Sequence, residues 1–205
     1  MEPPAARAAL AVRVVLEQAC RAAAAWTVED GYAKDAAVHV NLSGEGLRTT
    51  ELVGVVADVL ARTGLAPRRL VLELTESVLI AELPTAGPTL NALRTLGVRI
   101  ALDDFGTGYS SLSCLRSLPV DILKVAKPFV DGAGRTPHDH ALLAMILELG
   151  SLFGVSVVAE GIERQDQLDA LADLKCEMGQ GFFLGRPLDG EARRFARRDP
   201  LAAAA

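Results

Sequence analysis

Residues Leu70 to Leu102 read LVLELTESVLIAELPTAGPTLNALRTLGVRIAL. The opening Leu70-Val-Leu-Glu-Leu74 is short and almost continuously apolar, the pattern of a strand buried on both faces. From about Pro84 to Leu96 the apolar residues return at helical spacing, Gly97 closes the helix, and Val98-Arg-Ile-Ala-Leu102 repeats the strand pattern. Strand, helix and strand in so short a span make a βαβ unit, with parallel strands and a right-handed crossover.

The same alternation continues on both sides. Upstream, Ala8–Trp26 is an amphipathic helix, Val38–Leu42 a short strand, and Thr50–Arg62 a helix stopped by Gly64 and Pro67. Downstream, a Gly/Ser-rich loop from Asp103 leads through a short helix to strand Ile122–Val125. Helix Pro137–Phe153 ends at Gly154, followed by strand Val155–Ala159, helix Gln165–Leu174 and a glycine-broken strand Lys175–Phe183. Such a chain is α/β with a mainly parallel sheet, either doubly wound or a (β/α) barrel. No linker divides residues 1–192. Residues 193–205 are rich in Arg and Ala, end in four alanines, and are expected to be a disordered tail.

Half of the 205 residues are hydrophobic and 23% are charged, too apolar for intrinsic disorder. A chain of this length buries about 70% of its unfolded surface, enough for one core. The formal charge of −5 and the 4% aromatic content argue against nucleic acid as a partner. The most membrane-like run, Ala141–Ala159, is broken by Glu148, Gly150 and Gly154, so no membrane span is expected, and Arg7 and Arg13 interrupt any export signal. Cys20, Cys114 and Cys176 have neither disulfide nor zinc spacing, which favours a reducing, cytoplasmic location.

Polar residues collect where the apolar strands end: Asn41-Leu-Ser, Glu73-Leu-Thr-Glu76, Asp103-Asp104, Lys124 and Glu160-Gly-Ile-Glu163. Each alone is explained as a helix cap or a solvated loop residue. Together they are not, because parallel strands bring their C-terminal ends to one face, and adjacent Asp103 and Asp104 repel unless a cation lies between them. Oxygen donors without Cys or clustered His select Mg²⁺ or Mn²⁺. A shared aspartate fits two ions a few Å apart, as in two-metal phosphodiester hydrolysis.

At these residues the chain resembles the EAL domain family of cyclic di-GMP phosphodiesterases. The resemblance rests on Asn41-Leu-Ser, Glu73-Leu-Thr-Glu-Ser, Leu102-Asp-Asp-Phe-Gly-Thr-Gly-Tyr-Ser-Ser-Leu, Asp121-Ile-Leu-Lys, Val158-Ala-Glu-Gly-Ile-Glu and Gln180-Gly-Phe-Phe-Leu-Gly-Arg-Pro, in order from about residue 10 to 190. It implies a modified TIM barrel that hydrolyses cyclic di-GMP to linear pGpG with Mg²⁺ or Mn²⁺. By resemblance, Asn41, Glu73 and Asp103 match ligands of one metal, and Asp103, Asp104 and Glu160 those of a second. Lys124 matches the lysine that holds the attacking water, and Lys124 and Glu160 are the catalytic pair. Glu76 matches the glutamate that steadies the loop from Phe105 to Leu112, while Gln180 and Glu163 fall near substrate. A homodimer and an upstream GGDEF or sensory domain are the partners the resemblance brings besides cyclic di-GMP.

Two departures bear on activity. The Glu-Ala-Leu strand that names the family, with a metal-ligating glutamate, is not in this sequence, so about six of eight barrel strands are expected. Lys124-Val-Ala126 stands where the family has Lys-Ile-Asp, removing a supporting carboxylate. The chain alone is therefore expected to be an impaired phosphodiesterase; the alternative is a degenerate cyclic di-GMP receptor or protein-interaction module. His138-Asp-His140 reads as a helix start, Gly106-Thr-Gly108 lacks a full phosphate-loop pattern, Ser110, Ser111 and Ser113 lack a histidine base, and Cys114 reads as packing.

Overall fold

The computed structural model describes residues 4–27, 32–33, 35–107 and 119–187. Helix α1 (Pro4–Ala24) precedes strand β1 (Val38–Asn41), helices α2 (Gly44–Leu47) and α3 (Leu52–Thr63), and strand β2 (Leu70–Thr75). Then come α4 (Glu76–Thr95), β3 (Arg99–Phe105), β4 (Ile122–Val125), α5 (Lys127–Ala133), α6 (Pro137–Phe153), β5 (Ser156–Glu160), α7 (Gln165–Asp173) and β6 (Met178–Gln180). The six strands pair in sequence order, all parallel. A doubly wound sheet would reverse direction at a switch point. Parallel strands that pair in sequence order without such a reversal are the pattern of a section of (β/α) barrel wall, and among the described residues β1 and β6 are its edges.

Local sequence explains most of the helices. In α3, Leu52, Val55, Val56, Val59 and Leu60 are buried at the spacing of one helical face. Helix α6 begins with Pro137 behind Thr136, whose side chain accepts from the Asp139 N–H, and ends at Gly154 in the left-handed region at φ 66°. Thr136 and Pro137 thus make the His138–His140 stretch an ordinary helix start.

Helix α4 differs from expectation. It starts at Glu76, not near Pro84, and runs through both Pro84 and Pro88. Proline lacks the helical donor and costs the helix interior roughly 3 kcal/mol. The buried stripe of Leu79, Ala86, Leu90 and Leu93 spans both prolines, so packing against the sheet overrides that local penalty. Strand β3 is also longer than expected, extending through Asp103 and Asp104 to Phe105, and β6 is shorter, with only three residues. Helix α5 was not foreseen.

The helix-facing side chains of the sheet, including Leu70, Leu72, Leu74, Ile100, Leu102, Leu123, Val125 and Ala159, merge with the helices into one core. A small separate cluster of Val71, Ala101 and Ile122, with Ala37 and Val158 against it, lies on the face the helices leave. Among the described residues no helix is long and apolar enough to cross a membrane. The 193–205 tail, Cys114 and Ser110, Ser111 and Ser113 lie outside the described residues.

Candidate functional site

Side chains alternate along a strand, so the residue two beyond each member of the small cluster shares its face. Two beyond Val71, Ala101, Ile122 and Val158 lie Glu73, Asp103, Lys124 and Glu160. An apolar layer is thereby capped by a charged one at the C-terminal ends of four neighbouring strands. Strand register adds Asn41 beside Glu73 and Gln180 beside Glu160.

Lys124 is the centre of the charged layer. Its Nζ lies 2.9 Å from Glu73 Oε1, 3.1 Å from Asp103 Oδ1 and 2.8 Å from Glu160 Oε1, with the side chain 6% exposed. An ammonium has three donors, and all three are used. Burial alone would lower the Lys124 pKa, but Glu160, Glu73 and Asp103 hold it well above the ordinary lysine range. Burial pushes the Glu73 carboxyl up, yet the His39 and Lys124 hydrogen bonds and charges outweigh it and keep it below its ordinary 4.5. Glu160 differs: burial raises it, Lys124 offsets only part of that, and the charge of Asp103 raises it further. One ammonium among three carboxylates leaves the layer short of positive charge.

The two aspartates are aimed by a bulge. The β3–β4 register shifts between Leu102 and Phe105, and Asp104 takes φ 55°, a conformation Asp tolerates better than most residues. Asp103 Oδ1 accepts the Asp104 N–H at 3.1 Å. One oxygen each from Asp103, Asp104 and Glu160 come within 4.8 Å of one another.

Glu76 stands apart from this layer, at the start of α4. It is buried, and its Oε2 accepts the Gly106 N–H at 2.9 Å. Gly106 sits at φ 94°, and a Cβ there would fall 2.4 Å from the Phe129 ring, so only glycine fits between the two. A cavity of about 270 Å³ opens beside the layer, lined by Asp104, Lys127, Glu160, Glu163, Gln180 and Phe182. Glu163 pairs with Lys127 Nζ at 2.9 Å. A larger cavity of about 620 Å³ lies toward the start of β5, among Gly154, Val155 and Cys176, and includes none of the charged layer. Burial pushes the Cys20 thiol up to about 11 and also raises Cys176, so neither is a ready thiolate.

Two residues join the site that the sequence did not single out. His39 Nδ1 lies 2.7 Å from Glu73 Oε1. Gln167, fully buried, accepts the N–H groups of Glu163 at 2.7 Å and Arg164 at 2.8 Å, and donates to Asp131 Oδ1 at 2.6 Å. It occupies the third position of α7, where a glutamine reaching back to the cap is the available sequence signal. Gln167→Ala leaves buried polar groups unpaired and is expected to cost about 1–3 kcal/mol. A urea melt measures this; an unchanged midpoint would mean the β5–α7 loop is held by other contacts.

The EAL domain matches residues 5–187 of the chain. An uncharacterized protein of Mycobacterium tuberculosis is 41% identical over 191 residues, covering 92% of this chain and 30% of that protein. The bifunctional diguanylate cyclase/cyclic di-GMP phosphodiesterase MucR of Pseudomonas aeruginosa is 39% identical over 177 residues, covering 86% of this chain and 26% of MucR. This chain therefore spans less than a third of either relative. The solved MucR phosphodiesterase with c-di-GMP superposes with a TM-score of 0.81 at 38% identity, covering 89% of this chain and 73% of that one. The manganese/c-di-GMP complex of BlrP1 from Klebsiella pneumoniae gives 0.74 at 29% identity, covering 85% and 45%.

Proposed function

This chain belongs to the EAL domain family, and from that premise we propose that its charged layer is a cyclic di-GMP phosphodiesterase site that opens the cyclic dinucleotide to linear pGpG. The observation that carries this reading is the convergence of Glu73, Asp103 and Glu160 on Lys124, with Asp104 alongside. MucR was solved with c-di-GMP and BlrP1 with manganese and c-di-GMP, which supports the same substrate and metal class here.

The donors fit a hard divalent cation. They are carboxylates and an amide, oxygens of Asp103, Asp104 and Glu160 lie within 4.8 Å of one another, and the Lys124 ammonium already sits among Glu73, Asp103 and Glu160. Asn41, Glu73 and Asp103 would hold one Mg²⁺ or Mn²⁺, and Asp103, Asp104 and Glu160 a second. When bound, such ions offset charge on the phosphodiester oxygens and acidify water.

The protein's own groups supply the remaining chemistry. Lys124 Nζ, turning one donor away from its three carboxylates, orients the attacking water and stabilises negative charge developing at phosphorus. Glu160, which reaches Lys124 Nζ at 2.8 Å, is the group we assign to take the water proton. The water oxygen bonds to phosphorus, the P–O3′ bond breaks, and the 3′ oxygen leaves as a hydroxyl after taking up a proton from solvent, to which Glu160 returns its own. Gln180 and Glu163 contact substrate from the cavity wall, and Glu76 holds the chain just past β3 through the Gly106 N–H. An upstream GGDEF or sensory domain and a homodimer belong to this reading as partners.

A second reading is favoured by Ala126. It is 1% exposed, follows β4 directly and offers no polar side-chain atom where the family has aspartate. In that reading the module binds cyclic di-GMP or a protein without cutting.

Calorimetric titration of the chain with Mn²⁺ tests the site. Mn²⁺ is expected to bind, and Asp103→Asn, which alters the shared ligand, to weaken it by at least about tenfold. Tight zinc binding with no response to Mn²⁺ would reject the assignment.

A further inference from the structure

We propose that His39 is a positioning residue for Glu73, holding one carboxylate oxygen so that the other is presented to a divalent cation. The inference rests on the site reading given above, but the observations behind it are separate. Strand β1 pairs with β2 in the register His39 to Val71 and Asn41 to Glu73. Alternation puts His39 and Asn41 on the same face of β1, the face that also carries Val71 and Glu73. There His39 Nδ1 meets Glu73 Oε1 at 2.7 Å, the same oxygen that Lys124 Nζ reaches at 2.9 Å. Facing a carboxylate, Nδ1 carries the hydrogen and donates it.

Lys124 cannot fix Glu73 by itself. Its ammonium is divided among three carboxylates on three strands and, in the proposed reaction, must also serve the attacking water. Among the described residues His39 has one carboxylate partner; it comes from the neighbouring strand and can keep holding Oε1 when Lys124 turns to the water. Partners of a ligating carboxylate that set its orientation commonly matter 10- to 100-fold for metal affinity. A packing role is the poorer account, because the His39 side chain is 37% exposed while Glu73 is 6% exposed.

The test is Mn²⁺ calorimetry and metal-free thermal melting at one fixed pH on wild type, His39→Leu, His39→Asn and Asp103→Asn. Asn places an amide N–H where Nδ1 was, whereas Leu keeps bulk and loses the donor. His39→Leu should weaken Mn²⁺ binding by about 10- to 100-fold while still giving a cooperative metal-free melt, and His39→Asn should restore most of the affinity. Wild-type affinity in His39→Leu, or equal losses in Leu and Asn, would overturn the inference while leaving the site reading intact. No Mn²⁺ binding by wild type, or undiminished binding by Asp103→Asn, would overturn both.

Discussion

Lys124→Met should make the metal-free chain about 3–5 kcal/mol less stable, because it strips the shared cation from buried or half-buried Glu73, Asp103 and Glu160. Methionine fills the space of the lysine stem but cannot donate, so three carboxylates from three strands are left facing one another. Mn²⁺ should then return part of the loss, about 2.7 kcal/mol when its concentration is a hundred times the Kd. Metal affinity should hold or rise, since the ion no longer competes with an ammonium. Turnover should nevertheless fall by about 10²–10³-fold, the usual effect of removing one group that stabilises transition-state charge. Urea unfolding with and without Mn²⁺, beside a pGpG assay, separates these effects. Unaltered metal-free stability would mean that Lys124 is not the counter-charge of the layer.

How far the sequence reached depended on the range of the interactions involved. Helix α6 was readable in full, since Thr136, Pro137 and Gly154 are local cap residues. The start of α4 was not, because the stripe from Leu79 to Leu93 that carries it past two prolines is selected by the sheet beneath. Strand ends placed Glu73, Asp103, Lys124 and Glu160 on one face as soon as the strands were parallel. The bulge at Asp104 was hidden, for it exists only through the shifted pairing of β3 with β4. His39 and Gln167 were missed for a related reason. Glu73 lies 34 residues from His39 and Asp131 lies 36 from Gln167, pairs that no spacing rule links, and only the reach of Gln167 back to the Arg164 cap was local.

The second large effect concerns the open edge of the sheet. No Glu-Ala-Leu occurs among these 205 residues, and within the described residues β1 pairs only with β2. Tested alone, the chain should bind Mn²⁺ and cyclic di-GMP but cut slowly, because one proposed metal lacks a strand-borne carboxylate and both ions are needed to stabilise the attacking and leaving oxygens. Fusing a family Glu-Ala-Leu strand ahead of α1 should raise turnover by at least about 100-fold. Ala126→Asp should add roughly tenfold, and its carboxylate can also cap α5, whose first turn has no side-chain cap at Ala126.

The most direct measurement is pGpG formation from cyclic di-GMP with Mn²⁺, run on the chain, on the strand fusion and on the fusion carrying Asp103→Asn. The expected result is slow cutting by the chain, robust cutting by the fusion, and loss of that activity in the Asp103→Asn form. A folded fusion that binds cyclic di-GMP and yields no pGpG would contradict the phosphodiesterase reading in favour of a receptor, and robust turnover by the unmodified chain would contradict the need for the added strand.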